Sequence, residues 1–219
     1  LLLSTLFFAN VALIALYAIT LHALPLIAAV SACGGLLALW ISKTQSTLAA
    51  CIAVVIYAAL NALLPTWIAK LRDGSKYWPN VASVAGLGLM LLVLFGNSNP
   101  GWIFWFAVLL LNLVLLAIAL VRRNLVLALC GTIATAFLSV NWIVRLENNH
   151  SLTEPLFIIG AFALLYFFTA RPLTKQHADD PRAIYFPAIP AAIPFLLLAL
   201  LIVRLDLENP SLIFVFALG

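Results

Sequence analysis

IVRLE at Ile143–Glu147 is followed by EPLFIIG from Glu154, and IVRLD at Ile202–Asp206 is followed by NPSLIFVF from Asn209. The prolines in these strings, Pro155 and Pro210, extend a series that begins at Pro100: each introduces an apolar run, at steps of 55 residues. One membrane crossing takes about 20 residues of helix, so such a step is too long for one crossing and right for two. The recurrence predicts an all-α protein, a polytopic transmembrane helical bundle built from tandem helical hairpins.

Composition agrees. Hydrophobic residues make up 66% of the 219, against 11 Lys or Arg and 7 Asp or Glu, too little polar surface to cover a water-soluble fold. A net charge of +4 could suit a nucleic-acid partner in a soluble protein. Here the positive residues lie in short connectors between apolar runs, so membrane topology explains them; membrane lipids are the expected surroundings and no nucleic acid is expected.

Outward from the repeats, eight to nine spans are expected, near Leu6–Leu21, Leu24–Ile41, Thr47–Leu64, Asn80–Phe95, Gly101–Val121, Asn124–Val144, Pro155–Ala170 and Ala183–Val203, with another beginning at Ser211. The runs are continuously apolar rather than alternating with period two, which favours helices over barrel strands. The first and fourth are short, and only a few residues around His22 separate the first two, so re-entrant hairpins compete there. No initiator Met precedes Leu1, and Gly219 falls about nine residues into the last run. Residues 1–219 are therefore expected to be a single transmembrane domain cut from a longer chain, its first run not a cleaved signal.

With alternating spans, one side holds Lys70, Arg72, Lys76, Arg122, Arg123, Arg171, Lys175 and Arg182; the other holds only Lys43, Arg145 and Arg204. This bias places the first set in the cytoplasm and the start of the chain outside, in a multi-pass protein of the bacterial inner membrane.

Residues able to do chemistry are few. Cys33, Cys51 and Cys130 fall inside predicted helices without metal spacing, and fit structural packing. GLG at Gly86–Gly88 lacks the rest of a nucleotide fingerprint, and neither cofactor nor metal is expected. Small residues at Gly34 and Gly35, Ala49–Ala59 and Ala82–Gly88 suit close helix approach. Pro187, Pro190 and Pro194 crowd the start of the eighth helix, where they bend a site-lining segment or form an interfacial lead-in. Trp40, Trp67, Trp78, Trp102, Trp105 and Trp142, with Tyr77 and Tyr185, lie near span ends as an aromatic belt.

No charged residue lies deep in a span. The deep polar residues are Asn10, Asn61, Asn112, Thr132 and Thr135; Asn112, in LLLNLVLL, has the clearest mid-bilayer position. Asn61 and Asn112 are candidates for contact with a neutral solute, against structural hydrogen bonding. Arg145 with Glu147, and Arg204 with Asp206 and Glu208, recur at the ends of the sixth and eighth helices, near His150 and Glu154. They read as snorkelling arginines neutralised at the surface, with substrate contact by Arg145 and Arg204 as the functional alternative. His177, Asp179 and Asp180 are expected in an exposed connector.

Leu94–Trp142, LFGNSNPGWIFWFAVLLLNLVLLAIALVRRNLVLALCGTIATAFLSVNW, resembles the central part of a family of large bacterial predicted membrane proteins, domain-of-unknown-function family 2339. The shared features are the Gly/Asn/Pro turn, the LLLNL helix, the Arg122–Arg123 turn, and a following helix with Gly131, Thr132 and Trp142. Ahead of Leu94 the chain departs from the family, with VVIYAALNALLP replacing a Gly-Gly to Pro pattern. The resemblance implies more spans than this chain holds and supplies no catalytic or binding residue.

Three functions fit: a transporter or channel for a neutral or lipid-like solute, a scaffold or assembly subunit of a cell-envelope complex, and a membrane enzyme acting on lipid or glycan carriers. The first is expected by default for a repeated multi-span protein. A membrane protein partner or a homo-oligomer suits the second. The third lacks a recognisable nucleophile or metal set.

Overall fold

The computed structural model describes residues 2–72, 78–96, 101–146, 151–177 and 187–205. They form α1 (Leu2–Thr20), α2 (Ala23–Ala28), a π-helical turn (Ala29–Cys33), α3 (Gly34–Ile41), α4 (Thr47–Arg72), α5 (Trp78–Gly96), α6 (Gly101–Arg122), α7 (Leu125–Arg145), α8 (Thr153–Gln176) and α9 (Ala188–Leu205). There is no strand among the described residues. The expected start of a span at Ala183, the span from Ser211, and the landmarks Pro100 and Pro210 lie outside them.

Among the described residues, seven helices are long and apolar enough to cross a membrane: α1, the continuous Ala23–Ile41 rod made by α2, the π turn and α3, then α4 and α6 to α9; a further apolar stretch in α5 covers Val84–Gly96. A helix of 19 residues is about 28 Å long at about 1.5 Å per residue, close to the roughly 30 Å hydrocarbon layer. By length, α1 and the Ala23–Ile41 rod are complete crossings rather than re-entrant halves. The chain is an integral membrane protein of the multi-pass helical class.

Two tight connections depend on left-handed residues. Leu21 has φ 56° and donates its N–H to Tyr17 O at 2.7 Å, closing α1 with a single αL cap; His22 then opens α2. Arg123 has φ 51°. Its N–H reaches Leu120 O at 3.3 Å and the next N–H, of Asn124, reaches Ala119 O at 2.9 Å, the pairing of a Schellman cap. The Asn124 side chain then accepts from the Leu127 N–H at 3.1 Å, capping α7.

The chain divides into two compact units, Leu1–Gly131 and Thr132–Gly219. In the first, α4 is the central helix, packed against α5, α6, α1 and α3. Small residues allow this. A Cβ on Gly86 of α5 would lie 2.7 Å from the Ala58 Cβ of α4, so the backbones approach as closely as glycine against alanine permits. At the π turn, the Tyr57 hydroxyl of α4 donates to Val30 O and fills the space where a Cβ on Gly34 would sit, 2.6 Å away. In the second unit α8 packs against α9.

The aromatic belt is only partly a belt. Trp67 and Trp102 are exposed, but Trp105 and Trp142 are buried. Trp105 sits one turn inside α6 and stacks edge-on against Phe104, with centroids 5.1 Å apart, so its ring belongs to the core. Tyr77, Tyr185 and the Trp78 side chain lie outside the description.

Gly86→Ala and Gly131→Ala separate backbone from side-chain crowding. The first forces a Cβ onto the Ala58 Cβ, which moves only with its helix; the second meets the end of the Leu115 side chain, also at 2.7 Å, which can change rotamer. The expected cost is about 1–3 kcal/mol for Gly86→Ala and below about 1 kcal/mol for Gly131→Ala. Thermal unfolding of both variants in one detergent checks the order, and equal melting temperatures would contradict it.

Candidate functional site

In the second unit, α8 contributes the small residues Gly160 and Ala163, and α9 contributes Pro190, Ala191 and Pro194, with Pro187 just ahead of it, to one shared groove of about 1110 Å³. Small side chains on one wall and proline rings on the other leave space that larger residues would fill. Leu156, Ile159 and Leu164 of α8 and Leu198 of α9 continue the apolar lining, with Phe167, Phe168 and Phe195 at the rim. Phe167 and Phe168 are 72% and 70% exposed, as expected of side chains directed at lipid. From Pro187 into α9 the lining runs to Leu198, about 16 Å of helix and roughly half the hydrocarbon layer.

One end of the groove is different. Arg171, Thr174, Lys175 and Pro187 line it, and no acidic residue is among the described lining residues. Arg171 and Lys175 are exposed and stand four residues apart on α8, so both point to one face. The helix continues through Pro172 to Gln176, well beyond the expected end at Ala170, and this extra length carries the basic pair. Two side-chain bonds support it: the Thr174 hydroxyl donates to Ala170 O at 2.8 Å, and His177 Nδ1 lies 2.9 Å from Leu173 O.

Ile159, Ala163, Pro190 and Pro194 also line a cavity of about 20 Å³ whose polar lining is Thr132, Thr135, Ser139 and Tyr166. That is room for about one water. The Tyr166 hydroxyl donates to Thr135 Oγ1 at 3.1 Å and the Ser139 hydroxyl to Thr135 O at 3.0 Å; all four side chains are buried. Pro194 has no N–H for the Pro190 carbonyl one turn back, so this carbonyl lacks its usual helical donor. Hydroxyls and a carbonyl can solvate a small neutral group. With no carboxylate, imidazole or amine among the lining residues, the cavity has no group suited to transferring a proton at neutral pH.

The sequence candidates divide between the two units, Asn61 and Asn112 in the first and Arg145 and Arg204 in the second. Asn61 and Asn112 are fully buried, and each donates its amide N–H to a carbonyl of its own helix, Asn61 to Tyr57 O and Asn112 to Val108 O, both at 2.9 Å. Neither lines the groove or the cavity. Arg204 of α9 donates from Nε to Val144 O at 3.0 Å and from Nη2 to Leu146 O at 2.7 Å, so its positive charge caps the C-terminal end of α7. Arg145 is exposed at the last position of α7. The two arginines occupy matching places in the sequence repeat, yet one caps the helix that carries the other. Their expected partners Glu147, Asp206 and Glu208, with His150, Asp179 and Asp180, lie outside the described residues.

Sequence reasoning missed Tyr166, Ser139 and the groove position of Arg171 and Lys175. Tyr166 and Ser139 each fall seven residues or fewer from an expected span end, outside the set of polar residues singled out by depth. The signal was their spacing: Thr132, Thr135 and Ser139 recur at i, i+3 and i+7 and so share one face of α7.

Arg204→Met removes both bonds to the end of α7 and is expected to destabilise the second unit by about 1–3 kcal/mol. Arg204→Lys should recover only part, because a single ammonium cannot reproduce donation from two guanidinium nitrogens. Unfolding in detergent tests this, and a Lys variant as stable as the parent would contradict the forked geometry. Comparison of the chain with protein-family models, with curated proteins and with solved structures gives no match.

Proposed function

We propose that the protein binds and moves a lipid-like solute, an amphiphile with an anionic head whose chains lie in the α8/α9 groove. One observation carries this reading: an apolar groove about one leaflet deep that ends in Arg171 and Lys175 and has no acidic residue among its described lining. Lipid tails already surround the protein, so hydrocarbon contact alone gives little selectivity. Selectivity must come from the head, and a basic residue near the membrane surface contributes about 1 kcal/mol toward an anionic one. The sealed positions of Asn61 and Asn112 favour a lateral lipid path over an aqueous channel for a neutral solute.

The positive-inside bias supports an orientation in which Arg171 and Lys175 face the cytoplasm, so the groove would load from the cytoplasmic leaflet of a bacterial inner membrane, with the start of the chain outside. The likeness of Leu94–Trp142 to the many-span family of domain-of-unknown-function family 2339 is compatible with this. A scaffold role in a cell-envelope complex, alone or as a homo-oligomer, is the second reading. It is favoured by Asn61 and Asn112, whose amide N–H groups bond within their own helices, as in a dry bundle.

The full-length protein in nanodiscs of mixed phosphatidylglycerol and phosphatidylcholine is expected to retain phosphatidylglycerol about tenfold over phosphatidylcholine. Arg171→Gln with Lys175→Gln should reduce that preference to near unity. Native mass spectrometry reads the retained lipid. In proteoliposomes, the same pair should slow movement of a fluorescent anionic lipid between leaflets. Retention without movement would favour the scaffold, and no preference in the parent protein would remove the lipid reading.

A further inference from the structure

The first unit carries a second groove, of about 330 Å³, between α1, α3 and α4. Leu6, Phe7, Leu37, Ile52 and Ile56 make it apolar, and Asn10 also lines it. Asn10 is 3% exposed, and its Oδ1 is buried with no hydrogen-bond partner. It lies near the middle of α1, and hence near the middle of the bilayer if α1 crosses it.

Asn61 Oδ1 is likewise buried without a partner, but Asn61 is not among the residues lining this groove; what sets Asn10 apart is its place in the lining and its amide nitrogen. Asn61 and Asn112 turn their amide nitrogen onto the carbonyl four residues back, and exposed Asn141 does the same. Asn10 makes no such bond among the described residues. The Tyr57 hydroxyl, also in the lining, donates instead to Val30 O. An amide acceptor without a donor in hydrocarbon costs about 2 kcal/mol or more, a cost that an incoming donor would relieve.

We infer that this groove binds an uncharged lipid alcohol, a long-chain or polycyclic hydrocarbon bearing a hydroxyl that donates to Asn10. Three properties select this class. The unpaired atom is an acceptor, so an ester, ether or ketone, which only accepts, cannot satisfy it. A hydroxyl both donates and accepts, and so also suits the amide nitrogen. The mid-bilayer depth excludes a charged head, whose transfer there is costly, whereas a neutral alcohol is less firmly held at the interface. The site is independent of the α8/α9 groove, whose basic end selects an anion.

The test uses the full-length protein in nanodiscs with two photoactivatable probes: an octadecanol carrying a mid-chain diazirine, and its methyl ether, which has lost the donor. Labelling of α1 and α4 peptides is read by mass spectrometry. The alcohol is expected to label them about fivefold more than the ether, the ratio one net hydrogen bond supplies. Asn10→Leu should bring the ratio to one while leaving ether labelling in place. Ile56→Trp, at a position 44% exposed, fills the groove without touching Asn10 and should reduce labelling by both probes, which keeps the test decisive if Asn10→Leu does not fold. Equal labelling by alcohol and ether in the parent protein would overturn the inference. So would a preference that survives Asn10→Leu, or photo-insertion into the groove blocked by another segment of the same protein or by a second copy.

Discussion

In hydrocarbon a backbone N–H or C=O has no water to turn to, and each one left unpaired costs several kcal/mol. This constraint accounts for the helices and also for how they end. At Leu21 and Arg123 the chain accepts left-handed backbone in residues other than glycine, a strain of about 1–2 kcal/mol. In return, α1 and α6 stop with N–H groups placed on Tyr17, Leu120 and Ala119 carbonyls. The π turn is handled the same way, by a tyrosine hydroxyl from α4 on Val30 O. At α7 the donor is a guanidinium from another helix, Arg204.

Proline is where the constraint is relaxed. Pro65, Pro172 and Pro194 each lie inside a helix, and each leaves the carbonyl four residues earlier without its N–H: Asn61, Phe168 and Pro190. In α9 the released carbonyl belongs to a residue that lines both the large groove and the small hydroxyl-lined cavity. The same sequence feature thus does two things there. Proline rings and small residues keep α8 and α9 from closing the groove, and the Pro190 carbonyl is released from the helical ladder at a residue that lines it.

Much of the architecture was legible because hydropathy reports the solvent directly. The ends of the spans from Gly101 to Arg145 match within a residue or so, since Arg122, Arg123 and Arg145 mark where the apolar runs meet water. The misses have physical causes. Helix α8 runs six residues past Ala170 because helical hydrogen bonding continues through Pro172 into the polar flank, where hydropathy no longer shows it. The π turn has no hydropathy signature, as it changes hydrogen-bond register and not polarity. Trp105 and Trp142 show that a residue type enriched at interfaces becomes core when its helical face is turned inward. For the candidate site, the sequence identified polar residues by depth. It could not show which of them spend their hydrogen bonds on their own helix.

That distinction decides which polar residues can act on a ligand. An asparagine bonded to the carbonyl one turn back, as Asn61 and Asn112 are, has its donor committed. Breaking that bond to engage a solute would exchange one hydrogen bond for another with little net gain. Asn10 differs in lining a groove and making no such bond among the described residues, so a hydroxyl that engages its amide displaces no helix hydrogen bond. Arg171 and Lys175 differ again: they are exposed at the end of an apolar groove, where the charged head of an amphiphile can remain hydrated while its chains are buried. Depth therefore sets the chemistry each groove accepts, with charge at the surface and at most a hydroxyl near the midplane. A protein whose described spans carry no Asp, Glu, Lys or Arg at mid-depth can still discriminate between lipids, provided that its polar groups sit at different depths and have bonds left to make.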